Sequence, residues 1–220
     1  MRRYLIIATS LLLLTNHVNA QSKHDYWDDV QTIKNFDKMY KAPAHPVLFV
    51  GSSSIRKWDD VEYTFAQYHA LNRGIGGAVI NDIIYYADDL IFNYKPRQIV
   101  LYVGENDVLS PINNGDTIFN RTLRLYKHIR AQMPGVPIVY ISIKPSPSRQ
   151  KYIQKVIDAN KLIKAFLASE KNVVYVNIFD KMVDKEGKPQ PELFVADMLH
   201  MNRDGYDIWK KAIKPHLLKE

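Results

Sequence analysis

VLFVGSSSI, residues 47–55, is the stretch on which the fold turns: an unbroken apolar run stops at Gly51 and opens into three serines. A strand covered on both faces reads as continuous apolar sequence, whereas a strand with one wet face alternates. Three more runs share the pattern, QIVLYVG (98–104), PIVYISI (137–143) and VVYVNI (173–178), and HALNRG (69–74) is a weaker fifth. Helix-length amphipathic stretches lie between and after them, at 79–95, 117–133, 148–170 and 202–218. In the second of these, Ile118, Leu123, Leu125, Ile129 and Met133 follow a helical rather than an alternating period. Strands that alternate with helices predict a parallel sheet with right-handed crossovers and helices on both faces, an α/β fold in the form of a three-layer α/β/α sandwich. A further helix, about Tyr26 to Tyr40, precedes the first strand and is expected to pack on its outside.

Working back to the beginning, MRRYLIIATSLLLLTNHVNA has Arg2 and Arg3, an apolar core from Tyr4 to Leu14 and a small-residue end at Ala20. That is the pattern of a secretory signal peptide. Its core is well short of the roughly 20 apolar residues that a spanning helix needs. The expectation is therefore a signal peptide at 1–20, a single domain at 21–220, an exported protein in the periplasm or outside the cell, and no stable membrane insertion after cleavage. Removing Arg2 and Arg3 lowers the net charge from +7 to +5, spread along the chain without a basic cluster, which argues against a nucleic-acid partner. There is no cysteine, so disulfides and thiolate metal sites are excluded and stability has to come from the core.

In parallel sheets of this kind the ligand site lies beyond the carboxyl ends of the strands. The residues there are Gly51-Ser52-Ser53-Ser54, Gly74-Ile75-Gly76-Gly77, Gly104-Glu105-Asn106-Asp107 and, after the fifth strand and a turn-rich loop, Asp197-Met198-Leu199-His200. Together they bring a hydroxyl, a glycine amide, a side-chain amide, a carboxylate and an imidazole to one edge of the sheet. Acyl transfer needs that inventory: a nucleophile, a base to take its proton, an orienter for the base, and donors aimed at the developing oxyanion. His200 is the candidate base, and Asp197, three residues earlier, can fix its tautomer.

The four blocks resemble, in order, the signature blocks of the SGNH or GDSL hydrolases, and most closely the branch related to platelet-activating-factor acetylhydrolase. The resemblance implies a five-stranded flavodoxin-like sheet and hydrolysis of esters without metal or cofactor. By position it implies Ser53 as nucleophile, Asp197 and His200 as the rest of a triad, and an oxyanion hole made by the N–H groups of Ser53 and Gly77 and the amide of Asn106. Two positions depart from the family pattern: Ser52 stands where Asp is usual, and so does Ala78, so that a bracing hydrogen bond of the oxyanion loop is expected to be either missing or replaced.

The expected substrate is a small-molecule or glycan ester, short in its acyl part, acetyl above all. The alternative is a non-catalytic phosphate- or carbohydrate-binding module, in which the serine loop holds an anion on its N–H groups. Other residues read as structural. Ser52 and Ser54 are expected to cap a helix or support the loop, Gly74 and Gly76 to make turns, Asp107 to close a strand, Lys144 to be a solvated loop residue beside two prolines, and Tyr102, Tyr140 and Tyr175 to sit in or at the ends of strands.

Overall fold

A computed structural model describes residues 24–219; the signal-peptide reading of residues 1–20 lies outside them. The five expected strands form, as β1 Val47–Gly51, β2 Ala70–Gly74, β3 Gln98–Tyr102, β4 Ile138–Ile141 and β5 Val173–Val176. All pair in parallel in the order β2-β1-β3-β4-β5, the flavodoxin-like arrangement, which reverses direction between β1 and β3.

The unbroken apolar runs are explained by two cores, one on each face. Successive side chains of a strand point to opposite faces. Leu48 and Val50 enter one core with Ile99, Leu101, Ile138 and Tyr140, while Val47 and Phe49 enter the other with Val100, Tyr102, Val139 and Ile141. The first core is covered by α1 Trp27–Met39, by α4 Ile80–Tyr85 and α5 Ala87–Leu90, and by α6 Gly115–Gln132 and α7 Ile153–Leu167. The second is covered by the short helices α2 Ser53–Arg56 and α3 Val61–Thr64 and by α8 Arg203–Ile213. Aromatic rings dominate this second core: Trp58 lies 5.8 Å from Trp209 and 5.2 Å from Tyr206, and Trp209 lies 4.7 Å from Tyr102.

The single helix expected over 79–95 is three pieces, α4, α5 and a 3₁₀ turn at Phe92–Tyr94. The backbone departs from helix at Tyr86 (φ −95°, ψ 17°) and at Ile91 (φ −128°, ψ −63°). These bends let Tyr86, Ala87, Leu90 and Ile91 all bury against one core. Residues 148–152, also expected to be helical, form part of a 3₁₀ turn ahead of α7. At the far end α8 stops at Ile213, and Pro215, which has no N–H to donate, sits in the 3₁₀ turn that follows.

Gly51 ends β1 at φ +144°, and a Cβ there would lie 1.7 Å from the Tyr102 carbonyl oxygen. Gly51→Ala is expected to destabilise the protein by roughly 3–5 kcal/mol, because both strain and a backbone clash have to be relieved. Urea unfolding of the purified variant measures it; a loss below about 1 kcal/mol would mean that β1 and β3 separate easily at this end.

Candidate active site

Beyond Gly51 the chain turns at once. Ser52 N–H donates to the Tyr102 carbonyl (3.0 Å), continuing the β1–β3 register by one bond, and the Ser52 carbonyl accepts from Ile55 and Arg56. Ser53 is then the first residue of α2, so its N–H is among those a helix leaves without an intrahelical acceptor. Neither neighbour caps by its side chain as expected: Ser52 occupies the cap position without a side-chain bond, and Ser54 lies inside the helix. Both are buried, and the Ser54 carbonyl accepts the Tyr206 hydroxyl (3.0 Å), which ties the serine turn to α8.

The loop after β2 lies on one side of Ser53 and the loop after β3 on the other, as the strand order requires. Gly77 has φ +83°, and its open side faces the Tyr26 ring, whose hydroxyl would be 3.1 Å from a Cβ. Gly76 lies in a turn, as expected, whereas Gly74 does not. Gly74 ends β2 and lets the α2 backbone approach, where a Cβ would be 2.3 Å from Arg56 N, and Gly76 makes room for the Arg56 guanidinium. Asn106 donates one amide proton to the Ala78 carbonyl (3.1 Å), so the two loops meet.

Ala78 has no polar side chain to brace this loop, and three bonds do so instead. They are the Asn106 bond just named, Val79 N–H to Asp82 Oδ2 (2.8 Å) and Ile80 N–H to Asp107 Oδ2 (3.0 Å). Asp107 is therefore structural, as expected. Its buried carboxyl also pairs with Arg121 (2.8 Å), and burial pushes its pKa up against the opposing pull of Arg121 and the Ile80 N–H.

His200 arrives from the other end of the chain. Its Nε2 lies 3.0 Å from Ser53 Oγ and its Nδ1 2.6 Å from Asp197 Oδ2. With the proton on Nδ1, as the carboxylate contact dictates, Nε2 is free to accept the Ser53 hydroxyl proton. The turn that presents the ring is tight: Met198 is held at φ +54°, Val195 N–H donates to the His200 carbonyl, and Phe194 and Met201 bridge antiparallel. Asp197 Oδ1 accepts the N–H groups of Leu199 and His200, both at 2.9 Å. Burial raises the Asp197 pKa, but the His200 ring and these two N–H groups outweigh it and hold the carboxyl well below its ordinary 3.8. Serine, imidazole and carboxylate thus form one hydrogen-bonded line, the geometry of an activated nucleophile.

Lys144 is not a solvated loop residue. Its side chain is wholly buried, paired with Glu105 Oε1 at 2.8 Å, and donates to Ser146 Oγ (2.6 Å) and to the Leu199 carbonyl (2.7 Å). Burial pushes its pKa down and Glu105 opposes this. The lysine follows a strand, which was the sequence signal that it lines the site end of the sheet. Exposed Lys57, 3.4 Å from His200 Nδ1, was also missed, and nothing in its local sequence marks it. Tyr102 and Tyr140 are core residues as expected, while Tyr175 is half-buried on the outer strand. Among the described residues, no group of three or more His, Cys, Asp or Glu is placed to hold a metal ion.

Comparison with known proteins gives the chain's family and fold. The model of the GDSL-like lipase/acylhydrolase family matches residues 49–208. Platelet-activating factor acetylhydrolase IB subunit alpha2 of Rattus norvegicus is 29% identical over 179 residues, 77% of this chain and 73% of the relative. Subunit alpha1 of Homo sapiens is 25% identical over 185 residues, 79% of this chain and 75% of the relative. A crystal structure of a GDSL-like lipase from Bacteroides thetaiotaomicron has the same fold, with a TM-score of 0.74 at 23% identity over 86% of this chain and 97% of that one.

Because the folded pKa of Asp197 lies below its unfolded value, its contribution to stability is complete above the ordinary 3.8 and is lost as pH falls through the lower folded value. A carboxyl ¹³C NMR titration is expected to find Asp197 still ionised when ordinary exposed aspartates are half protonated. An Asp197 resonance that titrates with them would contradict the hydrogen-bond geometry.

Proposed function

The chain belongs to the GDSL-like lipase/acylhydrolase family and is an ester-bond hydrolase, and from that premise we propose that it works through a Ser53-His200-Asp197 triad. Ser53 Oγ attacks the ester carbonyl carbon while His200 Nε2 takes the hydroxyl proton. The carbonyl oxygen, now negative, accepts hydrogen bonds from the N–H groups of Ser53 and Gly77 and from the amide of Asn106. The tetrahedral adduct collapses, the carbon–oxygen bond to the alcohol breaks, and His200 returns its proton to the departing alkoxide. Water then attacks the acyl-serine as His200 accepts its proton, and the released acid leaves Ser53 protonated again. Asp197 keeps the imidazole in the correct tautomer and stabilises its charged form.

The observation that carries this reading is the line from Asp197 through His200 to Ser53. A loop that only cradled a phosphate or sugar would have no use for an imidazole directed at its serine and braced from behind by a carboxylate. The acyl group proposed is short, acetyl first, on a carbohydrate or another alcohol. The relatives named acetylhydrolases support the acetyl part. The leader-like start of the chain supports export to the periplasm or the medium, and among the described residues no helix is long and apolar enough to cross a membrane.

With p-nitrophenyl acetate, Ser53→Ala and His200→Ala are each expected to lower kcat by about a thousandfold or more, with wild-type thermal unfolding. Wild-type rates in both would remove the mechanism. Acetylated sugars run beside long-chain acyl esters test the substrate class, with turnover expected on the former; turnover confined to long chains would contradict it.

A further inference from the structure

We propose that Lys144 is a positioning residue for this reaction: it holds the turn that carries Asp197 and His200 against the end of β4, and so fixes where His200 Nε2 meets Ser53. The inference rests on His200 being the base.

A lysine ammonium has three donors and no acceptor. At Lys144 each of the three finds a partner, Glu105 Oε1, Ser146 Oγ and the carbonyl of Leu199. The first two belong to the ends of β3 and β4, and the third belongs to the residue immediately before His200. Glu105 is held in its turn, since its Oε2 accepts the buried Tyr102 hydroxyl (3.0 Å) and Ser146 donates to its Oε1. A continuous chain of polar contacts therefore runs from the core end of β3, through a fully buried ion pair, to the backbone beside the imidazole.

The turn makes most of its other bonds to itself. Val195 N–H to His200 O, Met198 N–H to Val195 O and the bridge between Phe194 and Met201 fix its shape, and the burial of Phe194 and Met201 in the second core anchors its two ends, while the residues between them rely on polar ties. Its ties to the β4 end are Lys144 to Leu199 and the Ser148 N–H to the Met198 carbonyl (3.0 Å). A buried ion pair is a poor source of stability beside apolar packing of equal volume. Its aim at one specific carbonyl, by contrast, matters where the reacting groups must stay within hydrogen-bond reach.

The test is the double variant Lys144→Met with Glu105→Gln, which removes both charges together and leaves neither buried alone. It is expected to unfold within about 4 °C of the wild type, with kcat about 30-fold lower and KM within about twofold, because misplacement of a reacting group by an ångström costs on that order. The His200 Nδ1–H proton resonance is expected to be broader in the double variant than in the wild type. A folded double variant with kcat within about threefold of wild type overturns the proposal. Should the double variant not fold, Ser146→Ala leaves both charges in place and decides the matter: a kcat about fivefold lower at unchanged KM supports it, and a wild-type kcat overturns it. His200→Ala is assayed alongside. If that variant is inactive while the Lys144 variants keep full kcat, only this inference fails; if His200→Ala itself keeps full kcat, the base assignment fails and Lys144 has nothing to position.

Discussion

At Gly51 the backbone of β1 passes so close to the last carbonyl of β3 that a methyl group would overlap it. The rest of the site is measured from that contact. Ser52 N–H takes the Tyr102 carbonyl, which starts α2 one residue later and places the Ser53 N–H on its open first turn. The Gly51 carbonyl accepts Ile75 N–H (2.9 Å), so the loop bearing Gly77 begins from the same residue. The serine turn and the Gly77 loop are thus positioned by main chain packed on main chain. Fixed N–H groups of this kind are what the proposed oxyanion hole calls for.

The other half of the line is made differently. His200 is 147 residues from Ser53 in sequence, and its turn lies on the far side of a loop with little regular structure. Asp197 is 44% exposed on its side chain, so water competes for it, and it is the two N–H groups and the ring of His200 that hold it in place. Beneath the turn the Lys144–Glu105 pair is dry and fully bonded. An exposed carboxylate above and a buried ammonium below grip the same four residues, one through local geometry and the other through the sheet.

The sheet was legible in the sequence because both faces of its inner strands are covered, which left unbroken apolar runs there, while edge strand β2, with Asn72 and Arg73, gave the weakest signal. The helix between β2 and β3 was misread as continuous because its composition is helical throughout, while its bends at Tyr86 and Ile91 answer to side chains packed from other segments. The serine loop, Asn106, Asp197 and His200 stood out as candidates because each lies just past a strand end or in a compact Asp-x-x-His turn, and the family resemblance singled out Ser53 among the three serines. Lys144 was misjudged for a physical reason: two prolines and two serines after a lysine describe a wet loop, and its burial becomes tolerable through Ser146 Oγ together with Glu105 and the Leu199 carbonyl, the last two 39 and 55 residues away. The bracing of the oxyanion loop was hidden likewise. Ala78 has nothing to offer from its side chain, and the work falls to Asp82, Asn106 and Asp107, whose reach depends on the folded loops.

The central claim is that Ser53, alone of the three serines, carries the acyl group between the two half-reactions. Acid quenching of the protein during turnover of p-nitrophenyl acetate, followed by digestion and mass spectrometry of the peptide spanning residues 52–54, tests it directly. An acetyl group on Ser53 that is absent from the His200→Ala protein is the expected result. Acetyl on Ser52 or Ser54, or turnover without any acetylated serine in that peptide, would contradict it.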